Sequence, residues 1–77
     1  MERIEKKEGF VGGRAKIKDT RTPVWAVIFD LQQDYGNDEI LRQRPTITLK
    51  DIEACKEYYE KNKSEIDSDI KENLEDG

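Results

Sequence analysis

Thr22-Pro-Val-Trp-Ala-Val-Ile-Phe-Asp-Leu-Gln-Gln-Asp-Tyr-Gly36 is the stretch on which the fold turns. Thr22 is placed to cap a helix, and Pro23 takes the first helical position, where a missing N–H costs nothing. Val24, Val27, Ile28, Leu31 and Tyr35 recur at helical spacing. Trp25 and Phe29, four apart, form an adjoining stripe. A helix apolar on more than one side is expected at the centre of a core, with Trp25 and Phe29 either in that core or in part of a dimer seam. Gly36 is expected to stop it.

Downstream, Asn37 offers a cap for a short second helix, Asp38–Gln43, with Asp38 and Glu39 in its first turn. Ile40 and Leu41 face inward, and Pro45 ends the segment. Thr48-Leu-Lys-Asp51 has the form of a capping box. A third helix follows, with Leu49, Ile52, Cys55 or Lys56, and Tyr59 on one face. Three helices with short connections are what a helix-turn-helix unit requires.

Upstream, Arg3–Lys7 reads as a short strand, with Ile4 and Phe10 the large apolar side chains of that region. Gly9, Gly12 and Gly13 mark a bend needing positive φ. Arg14 to Lys18, with Ala15 and Ile17 alternating against Lys16 and Lys18, reads as a half-exposed second strand. The two make a hairpin, which cannot stand alone and must pack on the helices or on another chain.

Beyond Asn62 the chain is acidic, yet Ile66, Ile70 and Leu74 repeat every four residues. That stripe is read as a nascent helix awaiting a partner's groove, or as a continuation of the third helix. The expected architecture is therefore mainly α: a three-helix, helix-turn-helix-like core with an N-terminal hairpin over residues 1–62, and an acidic partner-binding tail over 63–77.

Composition bounds what such a chain does. With 77 residues, 34% hydrophobic and 42% charged, there is one domain and a thin core. A single cysteine and no histidine preclude an internal disulfide and leave no Cys/His set for a structural metal. Oligomerisation, a homodimer first, is the expected source of extra stability. The longest apolar run, Val24 to Phe29, is six residues, whereas a membrane span needs about 20. The N-terminus lacks a signal peptide's apolar stretch, so a cytoplasmic protein without membrane attachment is expected.

Charge is segregated. Residues 1–21 carry seven basic and four acidic side chains, 22–62 five and eight, and 63–77 two and six. Phosphate binding rests on Lys and Arg, so a DNA partner would meet Arg14, Lys16, Lys18 and Arg21, with Lys50 and Lys56 from the start of the third helix. Catalysis has little to work with: no imidazole activates Cys55, and Gly12-Gly13 is not followed by the Lys-Ser/Thr of a phosphate-binding loop. No enzyme activity and no cofactor is expected.

The order Gly12-Gly-Arg-Ala-Lys-Ile-Lys-Asp-Thr-Arg-Thr-Pro-Val-Trp25, then Gly36, Asp38-Glu-Ile-Leu41, Pro45 and Ile47-Thr-Leu-Lys-Asp-Ile52 with Ala54 and Tyr58-Tyr59, resembles the prokaryotic domain of unknown function 433 family. Ala15 replaces that pattern's Pro, Asp19 its Gly, and Thr22 an apolar residue. The resemblance implies a winged or plain helix-turn-helix-like fold. It further implies service as an antitoxin similar to the VapB type, whose partner is a PIN-like ribonuclease. The expected function is thus an antitoxin-like DNA-binding protein that dimerises, touches operator DNA through the basic residues, and neutralises a toxin through Ile66, Ile70 and Leu74. The alternative is a dimeric protein-interaction adaptor without a nucleic-acid role.

Overall fold

A short antiparallel hairpin is held against four helices in the computed structural model, which describes residues 3–6, 9 and 11–76. Strands β1 (Ile4–Lys6) and β2 (Ala15–Ile17) pair in the register Ile4 with Ile17, Glu5 with Lys16 and Lys6 with Ala15. A single 3-10 turn, Val11–Gly13, precedes β2, and Gly12 and Gly13 adopt φ of 68° and 76°, the left-handed region glycine reaches without a Cβ clash. Lys7 and Phe10, part of the sequence-based expectation, lie outside the described residues.

Helix α1 (Val24–Gln32) begins one residue later than the Thr22 cap implied. Thr22 is still extended and tied to β2, its carbonyl accepting from Ile17 N at 2.9 Å. Pro23 bridges Lys16 and takes the cap position without a side-chain bond. The helix also stops earlier than Gly36. Asp34 swings to φ 66°, Tyr35 N donates to Asp30 O at 3.2 Å, and Asp34 N donates to Leu31 O at 3.1 Å. This 6→1 and 5→2 pair is a Schellman closure with an aspartate in the place glycine usually fills. Gly36, relieved of that duty, is extended and caps α2 (Asn37–Gln43), so Asn37 is its first helical residue.

Ile47 is buried in the link between α2 and α3 (Leu49–Lys61). The capping box is complete: Asp51 N donates to Thr48 Oγ1 at 3.3 Å, and Thr48 N donates to Asp51 Oδ2 at 2.9 Å. Leu49, expected inward, is instead 51% exposed, while Asp51 and Ile52 of the same turn are buried. Asn62 breaks the helix, its side chain donating to Tyr58 O at 3.0 Å while its own carbonyl accepts from Ile66 N at 3.1 Å. Helix α4 (Lys63–Asp76) follows and packs on α1 and α3.

Ile66 and Ile70 are buried in the same core as Ile4, Ile17, Val27 and Ile52. The sequence leaves the stripe either to a partner's groove or to a continuation of α3; Ile66 and Ile70 instead sit in the chain's own core, on a separate helix. The four-residue spacing was a helix face, and the face is satisfied within the chain. Among the described residues, no helix is long and apolar enough to cross a membrane.

Candidate nucleic-acid and partner interfaces

The six basic residues singled out from the sequence divide into three groups. Arg14 and Lys16 are consumed internally. The Arg14 guanidinium leaves the glycine bend for α4, with Nη2 donating to Glu72 Oε2 at 2.6 Å and Nε 3.4 Å from Asp69 Oδ1. Lys16 is only 3% exposed. Its ammonium meets Glu5 Oε2 at 2.7 Å and donates to the Thr20 carbonyl at 2.8 Å. The alternation that made Lys16 an outward residue failed because the 17–22 turn folds back over that side of β2 and caps the ammonium. Lys16 is closed off from solvent, whereas Arg14 remains partly exposed beside Glu72.

Lys18, Arg21 and Lys50 are exposed, on two segments, the 17–22 turn and the start of α3, that the following contacts join along one edge. The first two sit on the turn closed by the Ile17–Thr22 hydrogen bond. Lys18 N donates to Arg3 O at 2.8 Å, and Arg3 Nε donates to Asp51 Oδ1 at 2.8 Å. Turn, first strand and the start of α3 are therefore linked in series, which sets Lys50 beside the hairpin. Lys56 stands apart, half-exposed, with its ammonium 3.5 Å from Glu53.

Asp51 holds this edge together. Its side chain is buried, which works against the charge, but hydrogen bonds from Arg3 and from the Thr48 backbone outweigh burial and hold the carboxyl below its usual range. The capping box exposed half of that role in the sequence. The Arg3 pairing, 48 residues away, left no local signal.

A second feature lies between α1 and α3: a depression of about 260 Å³ lined by Ile28, Leu31, Gln32, Lys56, Tyr59 and Glu60. Tyr59 is half-buried in it and donates to Asp67 Oδ1 of α4 at 2.8 Å. Trp25 and Phe29 are half-buried against the core, each with a part left open. Leu74, the last of the tail stripe, is 53% exposed. Cys55 is fully buried, and burial, aided by the Asp51 charge, pushes its thiol up to about 12, so it offers no nucleophile near neutrality. Among the described residues, no three His, Cys, Asp or Glu side chains are grouped to hold a metal ion.

The family described as "Protein of unknown function (DUF433)" matches residues 4–59, which take in the hairpin, the basic edge and nearly all of α3. The chain belongs to the DUF433 family. It is similar to a DUF433 member protein from Anabaena variabilis ATCC 29413, whose crystal structure superposes with a TM-score of 0.84 at 38% identity. That likeness covers 88% of this chain and 67% of the other. None of the curated proteins matches. The fold likeness spans more of the chain than the DUF433 match, so it extends beyond residues 4–59. Within the DUF433 pattern, Asp19 stands where Gly is expected, and its φ of 63° keeps the left-handed turn, which Asp tolerates better than most residues.

Proposed function

We propose that this chain is an antitoxin-like DNA-binding adaptor, in which α2 and α3 act as a helix-turn-helix and the hairpin serves as a wing. The observation that carries the reading is the serial linkage from Lys18 through Arg3 to Asp51, which ties the turn that bears Lys18 and Arg21 to the first turn of α3, where Lys50 lies. In a helix-turn-helix that end of the recognition helix enters the major groove. The basic residues neutralise phosphates, while the capping box fixes the angle at which the helix is offered. Two copies would read two half-sites.

The partner in this reading is a PIN-like ribonuclease. Since Ile66 and Ile70 are part of the core, the toxin meets the outer side of α4, where Asp67, Glu72 and Leu74 are exposed. An acidic face of that kind complements a basic RNA-binding groove. Removing residues 63–77 would damage the core, so surface substitutions are the informative ones.

Fluorescence anisotropy with the DNA upstream of the chain's own reading frame tests the proposal. Neutralisation of three phosphates per protomer by Lys18, Arg21 and Lys50, six in the dimer, predicts a slope of log affinity against log salt of about −5. Lys18→Glu, Arg21→Glu and Lys50→Glu, each present in both copies, make the slope shallower by about 2. Absence of binding at about 50 mM salt sinks the DNA reading. A second reading, a protein-interaction adaptor with no nucleic-acid role, draws on the internal engagement of Arg14 and Lys16 and on a net charge of −4.

A further inference from the structure

We infer that the depression between α1 and α3 is the seat of a second copy of this chain, with the two α3 helices packed antiparallel across a twofold axis. The floor is apolar, made by Ile28, Leu31 and the Tyr59 ring. The rim carries one cation and one anion, Lys56 and Glu60, one helical turn apart on the same face of α3. That order is self-complementary. A twofold axis crossing α3 midway between them, level with Tyr58, sets Lys56 against the partner's Glu60 and Glu60 against the partner's Lys56. A heterologous protein would need the same pair of charges in the same spacing to match this rim, whereas a second copy has them by symmetry.

In the isolated chain Lys56 is paired with Glu53 at 3.5 Å, on side chains open enough to exchange partners. Leu49 extends the stripe, since Leu49, Glu53, Lys56 and Glu60 recur at intervals of four, three and four residues. Its exposed side chain adds apolar surface to the same face. The 34% hydrophobic content leaves a core thin enough that covering this groove is worth having.

This surface deepens the dimer invoked in the proposed function and rests on that reading only in needing two copies. Its test uses neither DNA nor toxin. Sedimentation equilibrium of the full chain at about 100 μM is expected to give twice the protomer mass of 9.0 kDa. Lys56→Glu sets glutamate against glutamate across the axis, and Glu60→Lys sets lysine against lysine. Each alone weakens association at least about tenfold, because symmetry turns both cross-pairs into repulsions. Mixing the two variants in equal amounts restores the dimer, since every cross-pair is then opposite in charge. Both positions are at the rim, and unchanged circular dichroism melting separates lost association from lost folding. A wild type that stays monomeric overturns the proposal and gives the groove to a different protein. So do single variants that associate as tightly as wild type, or a mixture that remains monomeric.

Discussion

Ile66→Ala separates a docked fourth helix from a loose tail. Ile66 is wholly buried, on the side of α4 that meets the core. Truncating such a side chain removes transfer free energy and leaves a cavity, together about 2–5 kcal/mol. A chain of this length has about 4–12 kcal/mol in all, so the variant gives up about a sixth or more of its stability. At about 3 kcal/mol, and 4–8 °C of Tm for each kcal/mol in a domain of this size, melting falls by about 12–24 °C. Trp25 lies on α1, against which α4 packs, so its fluorescence reports the loss. Urea titrations followed by Trp25 emission and by far-ultraviolet circular dichroism should coincide, with the midpoint lowered and the slope kept. Leu74→Ala, at an exposed position of the same helix, is expected within about 0.5 kcal/mol of wild type. The reasoning fails if the two substitutions behave alike, or if the helical signal is lost in a step of its own before Trp25 responds.

Three further outcomes follow from single residues. Asp51→Asn removes the charge that Arg3 and the α3 cap share, and is expected to cost about 1–3 kcal/mol at neutral pH. Because the folded carboxyl titrates below its unfolded value, its contribution is complete above about pH 5 and disappears as pH falls through the folded pKa. Asp69, pushed up mainly by burial, works in the opposite sense, so the difference between wild type and Asp51→Asn across acid pH is the quantity to measure. Cys55 should resist Ellman's reagent in the native protein at about pH 8, where a thiol at about 12 is ionised in roughly one molecule in 10,000, and react at once in denaturant. Prompt native labelling would contradict its burial. Asp19→Ala should lose about 1 kcal/mol in chemical denaturation while Asp19→Gly does not, because φ of 63° penalises a Cβ that lacks a local polar group. Equal losses would mean the turn is held for some other reason.

What the sequence disclosed, and what it hid, follows the range of the interactions involved. The Thr48–Asp51 capping box was legible because both bonds close within four residues. The glycine bend was legible because backbone sterics are local. Ile66 and Ile70 were recognised as one apolar face, but periodicity is silent on whether the covering surface belongs to the same chain or another. Lys16 misled for a similar reason: alternation along a strand assumes open water on one side, and here the 17–22 turn occupies it. Arg14 drew attention as a phosphate ligand, yet its counter-charges, Asp69 and Glu72, lie in the segment set aside as a tail. That the 17–22 turn and the start of α3 are tied together was not legible, since the Arg3–Asp51 contact that joins them links distant parts of the chain.

Helix α4 also sets a timetable. During synthesis Ile28 is made about 40 residues before Ile66, an interval of about 2–8 s at ordinary elongation rates. Over those seconds the hairpin and α1 must wait with their apolar sides open, because α4, the last wall of the core, has not left the ribosome. A nascent chain interrupted there is a substrate for proteases and chaperones, whereas one that has docked α4 is closed to them. Abundance would then respond to how promptly translation passes residue 66, a form of control written into the order of the helices.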